Sequence, residues 1–368
     1  MELIHLIYDH PQNPWLGGGA ALRAKAISSF FGAKGDTVHF VTGGFPNCSQ
    51  NDGNGQIQNH YTSRSKRYLF SRLLFSLKAG FTVRKLSKAN KIDLLVEDIS
   101  IFNIIFPRLF WKGPMISLVH NYLGRQSFKK LGIFGIIPFL MERHYLKHRK
   151  NFIAVSESLK KHILELNPKA NVSVIYNGID ESAFSYEVQS QADKIGFIGR
   201  IEINQKGLDT LVQALSILKS ENVSFKALLI GGGKDEQALE KMIAKLGLED
   251  SIEITGRLDE KRFARLSECR IACMPSRFEG WGITAIEAAA EGIPVIASDI
   301  DGLREAVRHN ETGILIETTP QSLANAIKDL MNDPAKIQTL SQNAKKHASK
   351  FHWDAIANEQ HALYESLI

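Results

Sequence analysis

Short apolar runs alternate with stretches of helical periodicity almost from one end of the chain to the other. In the first half the runs occupy residues 3–8, 37–41, 94–96, 115–119, 152–155 and 172–175. The second half repeats the habit at 195–198, 227–230, 252–254, 271–274, 295–297 and 314–316. Runs this short, rich in Ile, Leu and Val and separated by helical segments, predict strands covered on both faces. Strand, helix, strand in succession predicts an α/β fold with parallel sheets. The pattern divides into two doubly wound domains, residues 1–180 and 181–350, joined by the polar, weakly patterned stretch 180–193. A closing helix is expected over 353–367, where Ile356, Ala357, Leu363 and Tyr364 recur at helical spacing. The one compositionally loose stretch is 43–58, rich in Gly, Asn and Ser.

Length and charge sharpen this picture. At 368 residues the chain has room for two separate cores. Its net charge of +6 is unevenly spread, since segment 64–91 carries nine Lys or Arg and no Asp or Glu. Tyr68, Phe70, Phe75 and Phe81 interleave with these cations, and residues 125–130 and 143–150 are basic again. A basic segment with exposed aromatics suits an anionic lipid surface, each cation contributing about 1 kcal/mol there. The competing expectation is a core helix with solvated basic flanks. Nucleic acid is not expected as a partner, because no nucleic-acid motif accompanies the charge. Cys48, Cys269 and Cys273 make no disulfide framework and fit a reducing, cytoplasmic setting. No secretory leader is expected, and the apolar run 131–141, interrupted by Pro138, is too short to span a bilayer.

Four local constellations carry chemistry. The densest is Phe278-Glu279-Gly280-Trp281-Gly282-Ile283-Thr284-Ala285-Ile286-Glu287, where a loop becomes a helix. Glu279 would lie in the loop mouth and Glu287 about two turns into the helix, so they can hold different parts of one ligand. Carboxylates accept hydrogen bonds from sugar hydroxyls, and free N–H groups at a helix start attract phosphate. The second constellation runs from Gly199-Arg200 to Lys206-Gly207, after the apolar run 195–198 and before a helical pattern. Two cations at the end of a strand beside a helix start form a clamp for a diphosphate leaving group. Third, the first strand is followed by Gly17-Gly18-Gly19, a glycine cluster that opens a helix. Fourth, run 115–119 ends in His120, at the strand end where such sheets bind ligands.

This ordered set resembles the retaining GT-B glycosyltransferases of the large bacterial family-4 group (glycosyl transferases group 1), whose signature is Glu, seven residues, Glu. Gly302-Leu303-Arg304-Glu305 and Pro294-Val295-Ile296-Ala297-Ser298 are further landmarks. The resemblance implies two Rossmann-like domains facing a central cleft, with a C-terminal helix (351–368) crossing back onto the first. It implies that Glu287 holds the ribose, Arg200 and Lys206 the diphosphate, and Glu279 and His120 the transferred sugar. Gly199 and the backbone of Trp281, Gly282, Ile283 and Thr284 would support phosphate or sugar, and the Gly17–Gly19 loop would close over the donor. The implied activity is transfer of a hexose from a nucleotide sugar, a UDP-sugar or GDP-mannose, to a lipid-linked saccharide or membrane lipid. Envelope or exopolysaccharide synthesis at the inner face of the cytoplasmic membrane is the implied setting. A soluble glucan synthase would not need the basic aromatic segment, and an epimerase or hydrolase would need no acceptor groove. The Asp299-Ile300-Asp301 triplet is expected to serve a turn and not a metal, and no cofactor is expected.

Overall fold

A computed structural model describes residues 1–10, 12–13, 18–46, 48, 55–62, 67–100, 104, 106–124, 127–128, 132–259 and 261–368. They form two compact units, Met1–Asn177 with Trp353–Ile368, and Gly178–His352.

The described residues of the first unit contain a parallel sheet of β1 (Glu2–Leu6), β2 (Thr37–Thr42), β3 (Ile57–Tyr61), β4 (Leu94–Asp98), β5 (Met115–Val119), β6 (Asn151–Ala154) and β7 (Asn171–Val174). Spatial order is β3-β2-β1-β4-β5-β6-β7, so the winding reverses between β1 and β4. Strand β3 was not anticipated. It reads Ile-Gln-Asn-His-Tyr and pairs with β2 alone, and an edge strand with one neighbour needs little apolar character.

Successive residues of a strand face opposite sides, and the core divides accordingly. Leu3, Phe40 and Val96 meet Phe31 of helix Gly19–Ala33 and Ile356 and Tyr364 of helix Trp353–Glu365. Arg23, fully buried, ties these parts together by donating to Ile175 O (3.1 Å), Asn177 Oδ1 (3.0 Å) and Gln360 Oε1 (2.5 Å). Burial lowers its pKa to about 10.

On the opposite side Ile4, Leu6 and Leu95 meet Phe75, Ala79, Val83 and Leu86 of helix Tyr68–Ala89. That helix is neither a pure core helix nor a pure surface one. Its other face leaves Phe70, Leu73, Leu77 and Phe81 exposed.

The second unit has β8 (Lys194–Ile198), β9 (Ala227–Ile230), β10 (Ile252–Ile254), β11 (Cys269–Met274), β12 (Val295–Ser298) and β13 (Gly313–Ile316) in a parallel sheet. Its order is β10-β9-β8-β11-β12-β13, the arrangement of a dinucleotide-binding fold, with the reversal between β8 and β11. The polar stretch 180–193 belongs to this unit. Gln189 N donates to Ser267 O (2.9 Å), and Glu187 pairs with Lys345 (2.7 Å).

Candidate active site

Ligands of doubly wound sheets bind beyond the strand ends where the winding reverses. In the second unit that point lies between the ends of β8 and β11. After β8 the chain passes Gly199 and Arg200 and makes the short helix Ile203–Lys206. Gly207 follows in the left-handed conformation (φ 64°), and a Cβ there would lie 1.9 Å from Pro275 O. Only glycine lets helix Leu208–Ser220 begin so close to the end of β11. The same closeness brings Lys206 to the loop after β11.

Lys206 Nζ donates to Glu279 Oε1, and Ser276 Oγ donates to the same oxygen at 3.0 Å. Both charged side chains are nearly buried, 11% and 14% exposed. The sequence separates the lysine and the glutamate by 73 positions, and the fold joins them in one ion pair. An ammonium has three donors, so Lys206 keeps bonding capacity for a ligand while paired. Arg200 is more than half exposed and pairs with Glu202 (3.1 Å), at the solvent edge of the same loop. Gly199 lies against the lysine stem, since a Cβ on it would stand 3.7 Å from Lys206 Cε.

The glutamate loop is pressed onto the next helix start. A Cβ on Gly302 would lie 2.2 Å from Glu279 O, which gives the Gly302 landmark a steric reason. Gly282 (φ 79°) precedes helix Ile283–Ala290, and no side chain caps that helix. The backbone groups of Gly282, Ile283 and Thr284 therefore open towards the loop, while the Thr284 hydroxyl leans on Met274 Sδ (3.6 Å). The role expected of Trp281 falls to its backbone, and its side chain turns the other way. Its ring is 2% exposed and packs edge-on against Phe351 (4.9 Å), so its indole is a wedge behind the loop.

Glu287 is buried on the same helix and accepts from Arg262 Nη2 at 3.2 Å. Burial raises its pKa, and Arg262 opposes that shift. Arg262 also lies 3.7 Å from Asp180 and stacks 4.2 Å over Phe263. One turn on, Glu291 is fully buried and neither carboxyl oxygen has a hydrogen-bond partner among the described residues. Burial first, then the neighbouring Glu287, pushes its pKa up to about 9. At neutral pH Glu291 therefore keeps its proton, and Arg262 bonds the Glu287 carboxyl of the pair. Of the Asp299-Ile300-Asp301 triplet, Asp299 accepts from Arg304 Nε (2.5 Å) and Asp301 from Arg304 Nη1 (3.1 Å), as turn carboxylates do.

In the first unit the reversal between β1 and β4 gathers a second cluster. Asp98 ends β4, His5 lies on β1 and His120 follows β5. His5 Nε2 approaches Asp98 Oδ2 at 2.5 Å, and His120 Nε2 bonds the other oxygen. Burial pushes the Asp98 pKa up, but the two histidines outweigh it and hold the carboxyl well below the usual range. With Nε2 committed to Asp98, His120 presents Nδ1 on its remaining edge. Gly18 caps helix Gly19–Ala33 in an extended conformation, while Gly17 lies outside the described residues.

Asp98, Arg262 and Glu291 were not among the residues anticipated from sequence. Asp98 ends an apolar run as His120 does, and that parallel was the available signal. Asp98→Asn is expected to lower turnover by about 10- to 100-fold, the usual cost of removing an orienting partner. An amide cannot accept from both rings with the strength of a carboxylate. Steady-state rates on a variant with an unchanged melting profile test this; turnover within twofold of the wild type would show that His120 needs no orientation.

Two family models match in series. The model of glycosyltransferase family 4 covers residues 17–183, and that of glycosyl transferases group 1 covers residues 178–347. The chain belongs to this family of glycosyltransferases. Among curated relatives, a D-inositol 3-phosphate glycosyltransferase of Jonesia denitrificans is 32% identical over 57% of this chain and 54% of its own length. The chain spans roughly 54 to 64% of the length of the first curated relatives it matches. Sucrose-phosphate synthase from Thermosynechococcus elongatus superposes with a TM-score of 0.86 at 21% identity, covering 100% of this chain and 98% of its own. HepE of Anabaena, solved in complex with UDP-glucose, superposes with a TM-score of 0.76 at 20% identity over 100% of both chains. These two likenesses establish the fold, two Rossmann-like units of GT-B type.

Proposed function

We propose that the protein is a retaining, metal-independent hexosyltransferase that moves a sugar from a nucleotide sugar to a lipid-linked saccharide or membrane lipid. The observation that carries this reading is the Lys206–Glu279–Ser276 cluster at the β8/β11 reversal, with Glu287 on the helix that follows. Lys206 and Arg200 stabilise charge developing on the departing diphosphate. Glu287, bonded to Arg262, accepts from the ribose hydroxyls, and Glu279 and His120 accept from the transferred sugar. In the step itself the bond from the anomeric carbon to the diphosphate breaks. A bond to the acceptor oxygen forms on the same face, and the acceptor proton passes to the leaving phosphate. The UDP-glucose bound by HepE favours a UDP-sugar, with GDP-mannose as the other donor to test.

The acceptor reading draws on the exposed, cationic face of helix Tyr68–Ala89, where Arg84, Lys85 and Lys88 stand beyond Phe81. Cations on a surface helix attract an anionic leaflet. The setting proposed is envelope or exopolysaccharide synthesis at the cytoplasmic face of the membrane. No described helix is long and apolar enough to cross a membrane.

A thermal-shift panel of sugar nucleotides tests the donor site, because a ligand that binds only the folded state raises its melting temperature. One nucleotide sugar should stabilise the wild type and fail to stabilise Glu287→Ala and Lys206→Ala. Equal stabilisation of the three proteins would remove both residues from the donor site.

A further inference from the structure

Most of the exposed large apolar side chains of the first unit, Leu22 and Ile368 apart, are gathered on neighbouring elements. Ile133 and Phe134 are 81% and 74% exposed on the turn Gly132–Gly135, and Ile137 and Leu140 are 54% and 57% exposed on helix Ile136–His148. Helix Tyr68–Ala89 adds Phe70, Leu73, Leu77 and Phe81, spaced three or four apart along one face. Aromatic contacts tie each element to the segment 106–110 between them. The Phe81 ring meets Phe110 at 5.2 Å, and Phe106 meets His144 of the second helix at 5.5 Å.

Charge on these elements has one outward sign. Helix Tyr68–Ala89 has no acidic residue, and Arg84 and Lys88 prolong its exposed apolar stripe. Helix Ile136–His148 has one acid, Glu142, whose carboxylate is turned inward to accept from Leu123 N (2.9 Å) and Gly124 N (2.8 Å). Lys147 remains exposed, and Arg143 lies over the Phe139 ring. Apolar side chains rimmed by cations, on helices that do not span, match the interfacial region of a bilayer with anionic headgroups.

The turn also packs beside the loop that follows His120. The Glu142 bonds fasten its helix to the loop just after His120, and a Cβ on Gly135 would lie 2.4 Å from Ser127 O.

We infer that this face docks on an anionic lipid bilayer, with Ile133, Phe134 and Ile137 inserting among the acyl chains. Arg84, Lys88 and Lys147 then sit at phosphate level. Insertion beside the His120 loop presents that loop to a lipid-borne acceptor, a purpose that rests on the proposed transfer; the docking itself uses none of the donor residues.

The test uses the full chain, large vesicles of phosphatidylcholine, and the same vesicles with phosphatidylglycerol added. The wild type should co-sediment with the anionic vesicles, and Ile133→Ser/Phe134→Ser/Ile137→Ser should bind them on the order of a hundredfold less tightly. In Phe134→Trp, whose side chain stays apolar, tryptophan emission should shift to the blue on anionic vesicles. A wild type indifferent to both vesicles, or a triple variant that binds as well as the wild type, would overturn the inference. So would a wild-type dimer that the triple variant dissociates, since the face would then belong to a second copy. Donor-induced thermal shifts should persist in the triple variant. Vesicle binding without any donor shift in the wild type would support this surface and count against the proposed transfer alone.

Discussion

Lys206→Met is expected to reduce transfer by about a thousandfold, equivalent to about 4 kcal/mol of transition-state stabilisation. Methionine keeps most of the apolar stem that rests against Gly199 and removes only the charge. Two consequences then combine. On the proposed reading the departing diphosphate loses its nearly buried cation, and Glu279 retains Ser276 as its one remaining hydrogen-bond donor at the cluster. A carboxylate left uncompensated beside a diphosphate repels it, so donor affinity should fall together with turnover. Because the pair acts as a unit, Lys206→Met/Glu279→Gln should lose less than the sum of the two single losses. Single-turnover rates and donor titrations across this four-protein cycle decide the matter. Additive losses would mean that the ion pair is a bystander.

The second large effect concerns pH. Glu291 has its pKa raised to about 9 in the folded chain, against an ordinary value of 4.5. Below pH 4.5 both folded and unfolded forms carry the proton, and the group does not affect stability. Between 4.5 and 9 the unfolded chain ionises while the folded one holds its proton, so stability falls as pH rises. The slope has a ceiling of about 1.4 kcal/mol per pH unit, and any water reaching the carboxyl lowers it. From pH 5 to pH 8 the wild type should therefore lose roughly 3 kcal/mol that Glu291→Gln does not lose. A buried amide costs something at every pH, so the difference in slope is the readout, not the offset. Denaturant titrations at pH 5, 6.5 and 8 measure it. Parallel profiles would show that the carboxyl ionises equally in both states.

These expectations depend differently on sequence and structure. The strands were legible because parallel strands buried on both faces must be apolar throughout, and residues 115–119, 195–198 and 271–274 are. Strand β3 escaped because an edge strand pays little penalty for polar residues. The motif residues were legible through local spacing, as with Glu279 and Glu287 around a glycine-marked helix start. Their partners were not. Nothing local connects Lys206 with Glu279, Arg262 with Glu287, or Asp98 with His5 and His120. Trp281 stood in the most suggestive motif, and its side chain faces the core.

Helix Tyr68–Ala89 shows where local information ends. Its composition announced an apolar and basic segment without saying which side would be covered. Phe75, Ala79 and Val83 meet the sheet, while Phe70, Leu77 and Phe81 do not. The sequence by itself determined the two-unit α/β fold, the order of its elements apart from β3, and the motifs that make candidates of Glu279, Glu287 and Lys206. Backbone preference and apolar periodicity act over a few neighbouring positions, and the chain states them directly. Tertiary structure alone decided which charges pair, which carboxyl keeps its proton and which apolar face stays open. Those outcomes follow distance and desolvation in space, and both are set by segments far apart along the chain.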